Sequence, residues 1–532
     1  MSLALLALFP LALYLSFTLP RLHYPGLHTD EAMTTLPILS LLGHNGAGGD
    51  IYLTPRSMSF PLAMGQYHGA LESYLVAPFI YAMGTTPEAL RLPMILFGGL
   101  TLILFLRFLL LLTGNLALAW LGTMLLALHP TFVTGTRMGM YYGAFQPFCV
   151  SASFLFFLAW RRKGKPGHFY AACFILGAGA GARSWFLAHV AAVAVAGAVF
   201  LSRDRIFKSE SAAKIGGRTL ALAGIFFLIP VAPFLLFLVR HSGYTALIIR
   251  QAWNTPEHSY LLEIGERIAQ VKQILGGDAF LGEVFPAGNY RCRFYWLLWS
   301  FSLLWCVLTL PFSKFRSTRI KKAFFLTYSG AFLAVSPFSP SNLKALHLFQ
   351  FLPVAILMIV FAVEDLLGAL PSRYSWWICA PLAGLCLFIN PPEIQACLKR
   401  GMETGVLYSA AIYDLADWLT ENRYFDVAEV EPGVGCSLIY LTGGKAAVAE
   451  LFDERIKADG GFPLEQAVGN PRTIYVEYLW DEDISRHPDY NRHEIFLSKI
   501  KKLHRRICVV RTFPSAARGR SPRLAAAIVL GP

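Results

Sequence analysis

Charged residues are scarce in this 532-residue chain, at 15%, against about 25% in soluble globular proteins. There is too little polar surface for a chain of this length to meet water on all sides. Acidic residues are fewer still, 33 against 46 Lys and Arg. The nine cysteines contain no C-x-x-C pair, which removes the usual zinc and dithiol signatures. What is abundant is apolar: 55% hydrophobic and 14% aromatic residues, with a mean hydropathy of +0.50. A cytosolic enzyme, a disordered chain and a disulfide-knit secreted scaffold are all excluded, and a lipid bilayer is indicated. The net charge of +13 is no nucleic-acid footprint. Residues 1–390 hold 28 Lys and Arg against 14 Asp and Glu, and residues 391–532 hold 18 against 19. The excess therefore lies in the apolar part, where positive loops orient membrane proteins.

A spanning helix needs about 20 apolar residues. Eleven runs approach this, near 2–20, 92–112, 117–134, 143–160, 168–182, 185–201, 219–239, 294–311, 323–337, 346–363 and 374–390. The first lacks a basic leader and a small-residue cleavage site and reads as a retained span. Arg183 divides the fifth and sixth, which predicts a hairpin with Arg183 at its tip. Three basic clusters set the orientation: Arg161, Arg162, Lys163 and Lys165; Arg203, Arg205, Lys208, Lys214 and Arg218; and Lys314, Arg316, Arg319, Lys321 and Lys322. With eleven spans all three fall on one side, which the positive-inside rule makes cytoplasmic. The N-terminus is then inside, and loops 21–91 and 240–293 and the tail from 391 are outside. The expected architecture is an α-helical polytopic membrane domain over 1–390 and a small soluble α/β domain over 391–532.

In that tail, SLIYL (437–441), TIYVEYL (473–479), RICVVRTF (506–513) and AAAIVL (525–530) read as strands. They alternate with helical stretches near 408–421, 445–457 and 493–505. LTGGKAAVAE (441–450) lacks the G-x-x-x-x-G-K-[ST] spacing of a phosphate loop and reads as a tight turn before a helix. Cys436 and Cys508 both fall on expected strands, which leaves a disulfide between them open.

The candidate chemistry lies in the first outer loop, which gathers Asp30, Glu31, Asp50, Glu72 and Glu88. Adjacent carboxylates beside a membrane are costly unless hydrated, paired or used. Asp30 and Glu31, in LHTDEAM (27–33), also suit a helix N-terminus with Thr29 or Asp30 as cap. The two readings are compatible, because a cap position fixes a carboxylate in place.

A first span followed by a short Asp-Glu loop resembles the GT-C membrane glycosyltransferases, in particular the protein O-mannosyltransferase and lipid A aminoarabinose transferase group of bacteria. The resemblance continues through QYHGALESYLVAPF (66–79), RLPMILFGGLTLILF (91–105), LALHPTFVTGTRMGMYYGAF (126–145) and SNLKALHLFQFLPVAILMI (341–359), covering roughly residues 1–390. It implies transfer of a sugar from a polyprenyl-phosphate donor to a lipid, glycan or protein acceptor outside the cytoplasmic membrane. It makes Asp30 the general base, with Glu31 orienting it or binding acceptor, in a single displacement that inverts the anomeric carbon. Several relatives carry a second acidic residue in the loop after the third span, whereas GTRMGMYYG (135–143) has none.

A leaving phosphate calls for outer positive charge. Arg137, Lys344, His347 and Arg183 stand at expected outer span ends, with Arg56 and Arg91 in the first loop. Guanidinium groups bind phosphate bidentately, though each residue singly also fits a snorkelling interface position. His68 and Glu72 are spaced i, i+4 and would share a helix face. With Asp30 they form a candidate divalent-metal or acceptor-binding set, and an ordinary side-chain pair is the plainer alternative. YLLEIGERIAQVKQIL (260–275) is apolar at 261, 264, 268, 271 and 275, which predicts a helix lying along the membrane or covering the site, with Gly276, Gly277 and Gly282 as hinges or turns. GAGAGAR (177–183) suggests close helix packing. Two other classes compete with the transferase. A transporter or flippase would place ionisable groups mid-span and show internal repeats, and a non-catalytic lipid-binding scaffold of the same fold would lack the first-loop carboxylate.

Overall fold

The computed structural model describes residues 3–43, 60–65, 68–139, 143–201, 216–240, 242, 260–277, 293–312, 316–338, 345–368, 374–404, 409–430, 433–451, 472–479, 492–502, 504–513 and 523–530. Each of the eleven apolar runs is helical there. The first is α1 (Leu3–Thr18). Before the second come two short helices, α2 (Thr29–Met33) and α3 (Leu36–Leu41), a small hairpin of β1 (Ala63–Gly65) and β2 (His68–Gly69), and α4 (Leu71–Met83). The apolar series continues with α5 (Pro87–Thr113), α6 (Leu116–Ala127), α7 (Pro130–Arg137), α8 (Phe145–Lys163), α9 (Pro166–Ala182), α10 (Leu187–Leu201) and α11 (Gly217–Arg240). After α12 (Tyr260–Gly276) follow α13 (Arg293–Thr309), α14 (Arg316–Val335), α15 (Leu352–Leu367) and α16 (Ser375–Thr404).

By length and composition, Pro87–Thr113, Gly217–Arg240 and Ala345–Leu367 can each cross a bilayer, and the pair α6 and α7 makes a fourth candidate, bent by 56°. The other apolar helices are shorter or carry more charge, so the expected count of eleven full crossings exceeds what these criteria mark. The bend has a local cause. Pro130 starts α7, and the His129 ring accepts the Thr131 N–H as its cap.

Arg183 does stand between two helices, but they do not pack mainly on each other. Helix α9 lies against α11, and α10 against α14. The α9–α11 contact is backbone-close. A Cβ on Gly177 would fall 2.1 Å from the Phe227 carbonyl oxygen, and one on Gly181 2.5 Å from that of Pro230. The small-residue run is thus a packing seam, and it fixes the level at which Arg183 emerges.

The tail forms α17 (Ala411–Glu421), β3 (Asp426–Glu429), α18 (Gly435–Leu441), β4 (Ala447–Glu450), β5 (Ile474–Leu479), α19 (Arg492–Lys502), β6 (Arg506–Phe513) and β7 (Arg523–Leu530). The strands make one mixed sheet in the order β4-β3-β5-β7-β6, parallel across β4-β3-β5 and antiparallel across β5-β7-β6. Leu415, Trp418 and Leu419 of α17 pack on Val427, Ile474, Val476 and Phe513 of the sheet. Two expectations reverse here. SLIYL is a helix and residues 447–450 are a strand, because short apolar runs carry no decisive period. Gly443 and Gly444, at φ 63° and 75°, turn the chain out of the helix into the strand, the opposite of the expected order. No disulfide joins Cys436 and Cys508: the first is buried on α18 and the second is exposed on β6.

Candidate active site

Helix α2 sets Asp30 in place by a cap that composition does not suggest. His28, extended at φ −80°, accepts the Asp30 N–H on Nδ1 at 3.2 Å. The cap is therefore His28, not Thr29 or Asp30. The Asp30 carboxylate lies 3.7 Å from the same nitrogen, too far for a hydrogen bond, and accepts none among the described residues. Its side chain is 32% exposed. An anchored backbone with an uncommitted, hydrated carboxylate is what a proton acceptor needs.

Glu31 points the other way, into the protein. Arg91, with 0% exposure, donates Nε–H and Nη2–H to the two carboxylate oxygens of Glu31, both at 2.8 Å. Its Nη1 donates to the carbonyls of Leu22 and Pro25, at 2.6 and 2.9 Å. One side chain thus ties α5 to the loop between α1 and α2. Arg137 does similar work from α7, donating to the carbonyls of Thr18, Arg21 and Tyr24 at 2.9, 2.6 and 3.1 Å. Both arginines are anchored to backbone, so the loop carrying Asp30 is held from two spans.

Next to this loop lies a second polar cluster. The Ser73 hydroxyl donates to the Thr34 carbonyl at 2.6 Å, joining the first turn of α4 to the end of α2. Beside Ser73, Glu72 accepts Nε–H and Nη2–H of Arg183 on Oε2, at 2.7 and 2.6 Å. Nη1 of Arg183 lies 3.1 Å from His68 Nε2, and β2 bridges backbone to backbone with Arg183. His68 and Glu72 do not share a helix face. His68 is on β2 and Glu72 on α4, and Arg183 brings them together. Burial, and then the positive fields of Arg183 and His347, hold the His68 imidazole well below its ordinary protonation range. Trp185 stacks edgewise on His68 and on His347, at 5.1 and 4.3 Å between ring centres. Its carbonyl accepts Nε2–H of Gln350 at 3.1 Å. His68 Nδ1, Glu72 Oε1, Ser184 Oγ and Gln350 Oε1 are buried with no hydrogen-bond partner among the described residues.

A guanidinium wedged between His68 and Glu72 opposes a cation there. No group of three His, Cys, Asp or Glu among the described residues could hold a metal. The donor set present does not fit a divalent ion, and no chemical step below runs through one. Arg56 and Lys344 lie outside the described residues, as do Asp50 and Gly282.

Sequence reading missed His28, Trp185 and Gln350. The last two carried a faint signal, Trp185 two positions from Arg183 and Gln350 one turn beyond His347. Helix α12 forms as expected, but its buried stripe is Glu263, Arg267, Val271, Ile274 and Leu275. Of the expected apolar stripe, Leu261 and Ile268 are exposed, while Val271 and Leu275 are buried together with the Glu263–Arg267 ion pair.

No family model matches this sequence and no curated protein matches it closely. Solved structures do match. ArnT from Cupriavidus metallidurans bound to undecaprenyl phosphate superposes at a TM-score of 0.64 with 13% identity, over 98% of this chain and 97% of that one. This chain has the GT-C fold. Archaeal oligosaccharyltransferase AglB from Archaeoglobus fulgidus, in complex with an inhibitory peptide and a dolichol-phosphate, superposes at 0.53 with 9% identity, over 95% of this chain and 69% of that one. The match to ArnT covers nearly the whole of this chain, the helical part and the tail alike.

Proposed function

We propose that this protein is a glycosyltransferase that moves a sugar from a polyprenyl-phosphate donor to an acceptor at the outer face of the membrane bearing it, the bacterial cytoplasmic membrane, with residues 391–532 as a soluble domain on that face. The observation that carries this reading is the pairing of an anchored, one-third exposed Asp30 with a neighbouring buried cluster in which His68 Nδ1, Glu72 Oε1, Ser184 Oγ and Gln350 Oε1 have no hydrogen-bond partner among the described residues. Buried unsatisfied polar groups cost about 1–3 kcal/mol each, and a polar ligand would relieve that cost.

In this mechanism the acceptor hydroxyl gives its proton to Asp30 while its oxygen attacks the anomeric carbon. The bond from that carbon to the phosphate oxygen breaks, and its electron pair leaves with the lipid phosphate. One displacement inverts the carbon and needs no covalent enzyme intermediate. His347, Lys344 and Arg56 receive the phosphate, and Arg183, whose three nitrogens already reach Glu72 and His68, positions His68 beside it. Arg91, Arg137 and Glu31 are positioning residues in this scheme, because Arg91 is paired with Glu31 and both terminal nitrogens of Arg137 donate to loop carbonyls. Undecaprenyl phosphate in ArnT and dolichol-phosphate in AglB support a lipid-linked donor by likeness of fold.

The test is release of polyprenyl phosphate from a panel of radiolabelled polyprenyl-phosphate sugars, with a membrane extract as acceptor source. Turnover of one donor, lowered about a hundred- to ten-thousand-fold by Asp30→Asn, is the expected result. Turnover insensitive to that change removes Asp30 as base. Donor binding without turnover favours the scaffold, and absence of donor binding favours the transporter.

A further inference from the structure

A cavity of about 490 Å³ lies far from Asp30, lined by Phe108, Phe154, Trp160, Val193, Phe227 and Phe325 among others. Its walls include parts of α5 and α9, two helices whose other ends reach the candidate active site. On α5, Arg91 holds Glu31 while Phe108 and Leu112 line the cavity. Twenty-one residues of helix at 1.5 Å each separate Arg91 from Leu112 by about 30 Å, the thickness of a hydrocarbon core. The wall is apolar except for Arg161 and Lys321, one from each of two basic clusters. Those clusters therefore share a membrane face, opposite the acidic loop.

We propose that this cavity binds one anionic glycerophospholipid from the leaflet on the basic side, its acyl chain inside and its phosphate against Arg161 and Lys321. The volume falls within the range of small-ligand pockets, and the wall offers an acyl chain only carbon. Charge complementarity selects the headgroup. The Arg161 guanidinium is oriented over the Trp160 ring, 5.6 Å from its centre. Lys321 is ion-paired with Glu364 at 2.7 Å and keeps two further N–H donors, so the positive field at the rim comes mainly from Arg161 and its neighbours. Exposed Arg162 and Lys163 in the same turn add to the local positive field, which draws anionic lipid. The site is separate from the proposed donor site, so its test does not depend on turnover.

The experiment is native mass spectrometry of the delipidated full chain in detergent, titrated with phosphatidylglycerol or with phosphatidylcholine of the same acyl chains. A Cβ on Gly224, which lines the cavity, meets nothing within 4 Å, so Gly224→Leu fills the space without a backbone clash. One phosphatidylglycerol should be retained about ten-fold more tightly than phosphatidylcholine. Gly224→Leu should weaken it about ten-fold, the loss expected when a few methylenes are displaced. Ala194→Phe provides a second filling variant, and both are compared at matched thermal stability. Arg161→Gln with Lys321→Gln should erase the preference between the two lipids. Equal affinity for the two lipids, binding unchanged in both filled variants, or one-for-one displacement by polyprenyl phosphate would each overturn the proposal.

Discussion

Glu31 and Arg91 stand 60 positions apart and meet through two parallel hydrogen bonds of 2.8 Å, both side chains at 1% exposure or less. The pair locks the first loop to α5. Removing one partner of such a pair leaves the other charge buried and uncompensated, which costs about 3–5 kcal/mol. Glu31→Gln and Arg91→Met should each lower thermal stability by that order. The double change Glu31→Leu with Arg91→Met should recover much of it while turnover stays low, because the loop loses its anchor. Melting curves and donor turnover on all three variants separate these effects. Stability of the double variant equal to the sum of two separate losses would contradict the pairing.

His68 gives the protein a pH dependence of known sign. Its imidazole stays neutral in the fold well below its ordinary value of 6.5, because burial, Arg183 and His347 disfavour the cation. The unfolded chain takes up that proton near 6.5, so between 6.5 and the depressed value it binds more protons than the folded state. Stability from this group is complete above pH 6.5 and falls as pH drops, by up to about 1.4 kcal/mol per pH unit. His68→Gln should flatten the dependence of melting temperature on pH between 6.5 and 5. A slope unaltered by the change would show that another group sets it.

The sequence makes the apolar helices and the Asp-Glu loop legible because both are local features, a run of composition and a pair of neighbours. Contacts are another matter. Nothing near Arg91 marks it as the partner of Glu31 and not of a phosphate, and nothing near Glu72 announces Arg183, which reaches it across 111 positions. The His28 cap is not legible in the sequence because Ser, Thr, Asp and Asn are the usual capping side chains and an imidazole nitrogen is not. On helix α12 the apolar stripe divides: Leu261 and Ile268 are exposed, while Val271 and Leu275 are buried beside the charged Glu263–Arg267 pair. In water the apolar stripe marks the buried face, and beside lipid that rule weakens.

Gly139 is a further constraint on the same loop. Its φ is 67°, and a Cβ there would fall 2.6 Å from Glu31 Oε1. A left-handed conformation costs a side-chain-bearing residue about 1–2 kcal/mol, and the clash adds displacement of Glu31 from Arg91. Gly139→Ala should therefore reduce stability by about 2 kcal/mol and reduce turnover more than Ala substitution at a surface glycine such as Gly167, whose Cβ would meet nothing within 4 Å. Matched melting and turnover for Gly139→Ala and Gly167→Ala would refute this placement.

The tail is fastened to the loop that carries Asp30. The Tyr413 hydroxyl donates to the His23 carbonyl at 2.7 Å, Ser437 Oγ to that of Leu27 at 3.0 Å, and the Tyr440 hydroxyl to that of Thr86 at 3.0 Å. Around these bonds Cys436, Ile439 and Tyr440 pack with Leu27, Ala32 and Leu36 in one apolar cluster. Arg91 and Arg137 hold residues 18–26 from the helical side, so Tyr413 and Ser437 hold nearly the same stretch from the other. Each hydrogen bond contributes about 1 kcal/mol net, and losing two frees a loop without unfolding a core. Tyr413→Phe combined with Ser437→Ala should therefore speed amide exchange of residues 23–30, leave exchange in α5 and α15 unchanged, and lower turnover more than donor affinity. Exchange that stays slow in 23–30 would mean that the two arginines alone immobilise the base.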